Sequence, residues 1–297
     1  MKSRLCEPQI LLAKQENFAC FLEDSARRLS TQPALLWSGG ELSWAELDQK
    51  ASGFAHFLAR QGVEPGDRIA TLIPNCWSFA VALLGILKLG ATAATLHPTL
   101  KPEELAEVLA DVRPRLVVED VTVDRGSWNT AWLTAASALI VYTSGSTARP
   151  KGAVFSHDAF TFANRAWGGP VMGIKSDDVV LGVLPFAHNY GMNAGLLAPL
   201  LYGATVVIVE HFTPEGVLGI IEKHRVTVFP GVATMFRRLL NSPAFGRARR
   251  IDWFQTSGAP GRKFSLDRPA TGKLNLPKFK EYPAKIPSFW KPYFVIS

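Results

Sequence analysis

Residues 142–152 read YTSGSTARPKG, and they follow directly on the apolar run SALIV at 137–141. Thr143, Ser144, Ser146 and Thr147 bring hydroxyls, and Gly145 and Gly152 let the backbone come close to whatever binds. Lys151 adds a positive charge behind the stiffening Pro150. A polyphosphate needs donors of these kinds arriving together, from backbone N–H groups, hydroxyls and a cation. The same residue types also build ordinary surface turns, so composition alone leaves both readings open. The run differs from Gly-x-x-x-x-Gly-Lys-Ser/Thr, and no such run occurs in this chain.

Working outward, strand-like and helix-like segments alternate. Before the loop, helices are expected at 17–29, 43–62, 76–89 and 102–112, with strands at 34–37, 68–74, 91–96 and 115–119. Gly62 closes the second helix, and Pro102 with Glu103 and Glu104 marks the start of the fourth. Residues 120–136 are irregular, and ALIVYT (138–143) is the strand that delivers the chain to the loop. Beyond it a helix follows His157, strands are expected at 179–184, 205–209, 226–229 and 251–256, and helices near 192–201, 214–223 and 231–241. This order predicts an α/β fold of mostly parallel sheets flanked by helices. Ligands of such sheets bind at the carboxyl ends of the strands, where the loop sits.

The 297 residues can bury a substantial core, and 47% hydrophobic with 19% charged residues describes a globular chain. Of the formal charge of +7, residues 262–297 hold +6, from eight Lys/Arg against two Asp/Glu. The body before them is nearly neutral, which gives little support to a groove for a nucleic-acid backbone there. The tail also holds Pro269, Pro277, Pro283, Pro287 and Pro292, so a boundary is expected near 262. Cys6, Cys20 and Cys76 form an odd set without metal-like spacing, which points to reduced thiols and a cytoplasmic protein. Residues 79–96 contain Lys88, and residues 190–209 are broken by Gly191, Gly195, Pro199 and Gly203. Both read as helix plus strand, and no membrane span is expected.

The loop closely resembles the phosphate-loop signature of the adenylate-forming enzymes, which include acyl-CoA synthetases, luciferases and peptide-synthetase adenylation domains. Ala148 stands where that signature has glycine. Further matches follow in the family's order. Residues 41–75 and 85–105 resemble its opening segments, and LPFAHNYGMNAGLLAPLLYGAT (184–205) resembles a segment lining its acyl pocket. FPGVATMFRRLL (229–240) resembles the next pocket segment, with Ala233 where proline is usual, and SGAP (257–260) the start of the adenine-binding strand and turn. The resemblance runs over about residues 15–261 and implies a partial, truncated large N-terminal domain (1–261) followed by an irregular basic tail (262–297).

By that resemblance, Thr143, Ser144, Gly145, Ser146, Thr147, Lys151 and Gly152 hold ATP phosphates. His188 and Gly191 line the acyl pocket, and Gly258, Ala259 and Pro260 lie on the adenine side. PATGKLN (269–275) looks like the family's final lysine motif and makes Lys273 the candidate catalytic residue. Its bland alternative is a solvated Pro/Gly turn, and His188 taken alone reads as a core histidine bonded to a carbonyl. Tyr190 and Met192 fit packing as well as pocket lining. His56, His97, His157, His211 and His224 show no metal spacing and receive no role; no metal ligands are assigned.

The implied reaction activates a small carboxylic acid with ATP and Mg²⁺, then transfers the acyl group to the thiol of coenzyme A or a carrier protein. The family's Gly-Tyr-Gly-x-Thr-Glu run, ribose-binding Asp and hinge do not appear; GRKFSLDRPATGKLN follows SGAP instead. An inactive nucleotide- and acyl-binding remnant is therefore the alternative, and binding of anions or nucleic acid through the tail a third. An apolar face left uncovered is expected to be screened by PSFWKPYFVIS (287–297) or to drive self-association.

Overall fold

The computed structural model describes residues 17–123, 137–143, 150–247, 253–256 and 262–263. In chain order, α1 (Cys20–Arg28) leads to β1 (Pro33–Trp37), β2 (Gly40–Ser43), α2 (Trp44–Arg60), β3 (Arg68–Thr71), α3 (Trp77–Leu89), β4 (Thr92–Thr95), α4 (Pro102–Val112) and β5 (Leu116–Val118). Then come β6 (Ser137–Thr143), β7 (Lys151–Ser156), α5 (His157–Ala166) and β8 (Val179–Gly182). A helical run follows: α6 (Asn189–Met192), a π-helical stretch (Asn193–Leu197) and α7 (Ala198–Leu201). The chain goes on through β9 (Thr205–Ile208), α8 (Pro214–His224), β10 (Val228–Gly231), α9 (Ala233–Leu240), β11 (Trp253–Thr256) and β12 (Arg262–Lys263).

These strands form two sheets. The larger has the order β12-β11-β10-β8-β9-β1-β2, the smaller β5-β3-β4-β6-β7. Pairing is parallel except where β2, β7 and β12 add antiparallel edges. The expected mostly parallel α/β architecture is the one observed. β2, β7 and the two-residue β12, which falls at the start of the expected irregular tail, lie outside the expected strands. The sequences of β2 and β7, GELS and KGAVFS, are rich in weak strand formers, and pairing with β1 and β6 supplies what propensity does not.

The alternation of side chains fixes the layers. Leu139 and Val141 of β6 and Val206 of β9 face a shared core built on α2 and α3. On the opposite faces, Ile140 of β6 packs with Val112 of α4, and Val207 of β9 packs with Val217 and Leu218 of α8. Helices thus separate the two sheets and cover their outer faces.

Local chemistry starts and ends these helices. Ser43 and Glu46 form a reciprocal capping box at the head of α2. Gly90, at φ 85°, closes α3 in the left-handed conformation. α3 is buried on every side and meets α2 where Gly85 lies, since a Cβ there would come within 2.8 Å of the Ala51 carbonyl oxygen. Lys88, fully buried near its end, reaches Asp48 at 2.8 Å and Glu23 at 3.0 Å. The two apolar stretches resolve as read, into α3 with β4 and into the helical run with β9. Among the described residues no helix is long and apolar enough to cross a membrane.

Candidate active site

Parallel pairing gathers the carboxyl ends of β3, β4 and β6 along one edge of the smaller sheet: Thr71 pairs with Thr95, and Thr95 with Val141. In the larger sheet the ends of β8 and β9 are likewise aligned, Gly182 opposite Ile208. Segment 184–188, which follows β8, joins the two edges. Asn75, just beyond β3, donates from Nδ2 to the Leu184 carbonyl at 2.8 Å and accepts from the Phe186 amide at 2.7 Å. The hydroxyl of Thr95 donates to the Ala187 carbonyl at 3.3 Å. At the end of this segment His188 is exposed and sits directly before α6.

Gly191 is buried in the first turn of that helix. A Cβ on it would collide with the carbonyl oxygen of Pro185, so only glycine lets α6 fold back on the segment. Met192 belongs to the main core, and Tyr190 stacks at a tilt on Trp167 with ring centroids 5.9 Å apart. Burial pushes the Tyr190 phenol far above its ordinary range. Both fit the packing reading. An amide chain braces the run from behind: Asn164 donates to Asn193 at 3.1 Å, and Asn193 to Asn189 at 2.7 Å.

The loop at 142–152 is carried by the β6–β7 hairpin, in which Thr143 pairs with Lys151 and Tyr142 with Gly152. Lys151 is exposed at the head of β7. Gly152 has a packing duty as well: a Cβ there would stand 3.0 Å from both the Tyr142 ring and Ile140. Tyr142 donates to Asp111 of α4 at 2.5 Å, and burial together with this bond raises its pKa far above the usual phenol range. A groove of about 310 Å³ lined by Arg68, Asp111, Tyr142 and Val154 lies on this α4 side of β6, the side opposite Val141.

Ser144, Gly145, Ser146 and Thr147 fall outside the described residues, as do Gly258, Ala259, Pro260 and Lys273, and Thr143 is described as a strand end only. β11 ends at Thr256, opposite Gly231 of β10, immediately before SGAP. β12, the start of the expected basic tail, pairs with β11.

Two residues that the sequence reading passed over stand here. One is Asn75. The other is His97, whose ring lies 5.8 Å from that of His188. Histidine spacing gave no hint of the second. The rule that ligands gather at carboxyl ends of parallel strands would have picked out both, since each lies just past such an end.

The model of the AMP-binding enzyme family matches residues 22–131 and 131–263. The chain belongs to the AMP-binding enzyme family. Among its relatives is a 3-[(3aS,4S,7aS)-7a-methyl-1,5-dioxo-octahydro-1H-inden-4-yl]propanoyl:CoA ligase of Mycobacterium tuberculosis, 33% identical over 267 residues, 75% of this chain and 52% of the relative. A salicyl-AMP ligase / salicyl-S-ArCP synthetase of the same organism is 33% identical over 254 residues, 70% of this chain and 45% of the relative. A solved benzoate CoA ligase from Burkholderia xenovorans superposes with a TM-score of 0.68 at 25% identity, over 76% of this chain and 52% of that one. The chain spans about half the length of the curated relatives it matches.

Proposed function

We propose that this AMP-binding chain supplies the nucleotide- and acid-binding part of a ligase that activates a carboxylic acid as its acyl-adenylate and passes the acyl group to a thiol. The observation that carries this reading is that segment 184–188 is bonded to Asn75 beyond β3 and to Thr95 at the carboxyl end of β4, the strand paired with β6, which leads into the expected phosphate loop. A carboxylate oxygen of the acid attacks the α-phosphorus of ATP, and the bond to pyrophosphate breaks. A thiol then attacks the acyl carbon, and AMP leaves. Lys151 neutralises phosphate charge beside loop 143–152, while His188 and the head of α6 orient the acid; positioning and charge neutralisation supply most of the acceleration.

Among the described residues no three His, Cys, Asp or Glu side chains gather to hold a metal ion, so no residue is assigned to magnesium. The relatives' names cover benzoate, a salicyl group, a ring-bearing propanoyl group and medium- and long-chain fatty acids, with CoA or a carrier protein as acceptor. Ring-bearing and straight-chain carboxylic acids are therefore both to be offered to this chain, with both kinds of thiol.

The second reading is a protein that holds nucleotide without turnover, favoured by GRKFSLDR standing where the family carries Gly-Tyr-Gly-x-Thr-Glu. ATP–pyrophosphate exchange with a panel of aryl, short, medium and long-chain acids decides between them. Exchange with one acid class, lost in Lys151→Ala and Lys273→Ala, supports the ligase. ATP binding by calorimetry without exchange for any acid removes the ligase reading and leaves the second.

A further inference from the structure

His97 and His188 reach the same point from different sheets. His97 lies two residues beyond the end of β4, and His188 lies in the connection from β8 to α6. Their ring centroids are 5.8 Å apart with planes inclined at 32°. Because Thr95 pairs with Val141, the same two-residue step leads to His97 on one strand and to Thr143, the first hydroxyl residue of the loop, on its neighbour. The pair therefore stands between the two parts of the proposed site.

The hydrogen bonds of the pair leave room for a ligand. Nδ1 of His97 accepts from the Thr99 amide at 3.2 Å and lies 2.6 Å from the Thr99 hydroxyl. That assigns the proton of the neutral ring to Nε2, which remains a donor. The ring of His188 is exposed and has no hydrogen-bond partner among the described residues. A positive charge on His188 opposes the charging of His97 in the free protein. Burial first, and the His188 charge second, lower the pKa of His97, and no carboxylate contributes to that shift. Among the described residues, the ionisable groups on the adjoining elements include Lys101, Glu103 and Glu104 at the head of α4, with Glu107 and Asp111 farther along it, Tyr142 of β6, Lys151 opposite Thr143, and Tyr190 in α6. Of these, Glu104 is engaged with the Lys101 amide of its own helix.

We propose that His97 and His188 form an oxyanion-binding pair that takes up a proton together with its ligand. An oxygen of a carboxylate or phosphate accepts from both rings and supplies the negative charge that the pair lacks in the free protein. This deepens the ligase reading, on which it rests for the ligand's identity. The oxygen belongs either to the acid or to the nucleotide's phosphates.

The test is NMR of the full chain with ¹³C-labelled histidine, following the Cε1–H signals from about pH 5 to about pH 8. The probes are inorganic pyrophosphate, succinate and two monocarboxylates, hexanoate and benzoate, and His97→Gln and His188→Gln assign the two signals. An occupying anion is expected to shift both signals and raise both apparent pKa values by about one unit. Its affinity should rise about tenfold per unit fall in pH while one proton is taken up. Either glutamine variant should flatten that slope. A response to pyrophosphate alone assigns the pair to the nucleotide. Response to succinate but to neither monocarboxylate assigns it to a second carboxylate of the acid, and response to a monocarboxylate assigns it to the reacting carboxylate. No response, response of one ring only, or a pH-independent affinity overturns the pair. Uptake without ATP–pyrophosphate exchange keeps the pair and removes the ligase. Exchange unaffected by either glutamine variant, with unresponsive rings, does the reverse.

Discussion

The side-chain amide of Asn75 donates to the carbonyl of Leu184 at 2.8 Å, a bond that reaches across 109 residues and ties the end of β3 to the segment carrying His188. Its oxygen accepts from Phe186 at 2.7 Å, so one short side chain serves two backbone groups. Asn75→Ala leaves both groups unpaired in a half-buried place, at a cost of about 2 kcal/mol. It should also weaken acid binding about tenfold, with ATP affinity unchanged, because the segment loses its register. Asn75→Asp keeps the acceptor for Phe186 and should fall between. Calorimetry with acid and with ATP separately checks this, and unchanged acid affinity in the alanine variant refutes it.

Gly191 has no room for a methyl group, because the Pro185 carbonyl occupies the place of its Cβ. The obstacle is backbone, which cannot rotate aside as a side chain tip would. Gly191→Ala is therefore expected to cost about 3 kcal/mol and to displace the start of α6 with His188. Gly219→Ala is the control, since nothing lies within 4 Å of a Cβ there. Urea unfolding of the two variants should separate them clearly; equal midpoints would disprove the close approach.

Lys88 is fully buried, and its ammonium group is shared between Asp48 and Glu23, whose side chains are 25% and 32% exposed. Lys88→Met removes the charge while keeping most of the volume, so it isolates the electrostatic loss. Two carboxylates without their cation are expected to cost about 3 kcal/mol, because partial exposure lets water relieve some of the penalty. A loss below about 0.5 kcal/mol in chemical denaturation would show that the three groups contribute little as an ion triad.

The legible parts of this protein were those that local chemistry determines. Pro102 with Glu103 and Glu104 announced the start of α4, Gly62 the end of α2, and the apolar run SALIV the strand β6. β7 was not legible because KGAVFS has only Val154 and Phe155 as strand formers among Lys, Gly, Ala and Ser, without an apolar alternation; its edge position leaves Val154 63% exposed. The candidate site divides in the same way. The loop and His188 follow from short contiguous motifs, whereas Asn75 and His97 come to the site through strand register and inter-sheet contacts between residues about a hundred positions apart. No window along the chain contains both members of such a contact.

His157 links acidity to stability. Its ring is buried at the head of α5, with Nδ1 accepting from the Phe18 amide at 3.1 Å and Nε2 lacking a partner among the described residues. Burial pushes its pKa from 6.5 down to about 4, against a small opposing effect of Asp158. Between those two values the unfolded chain binds a proton that the folded chain refuses, so stability is full above the unfolded value and falls as the pH drops toward the folded one. This group alone should cost about 2 kcal/mol between about pH 7 and about pH 5. His157→Gln can keep an acceptor for Phe18 without titrating, so its stability should fall less over the same interval. Urea midpoints of both proteins at the two pH values test the point. Parallel losses in the two proteins would mean that His157 is already charged in the fold, or that its proton is not what acid exploits.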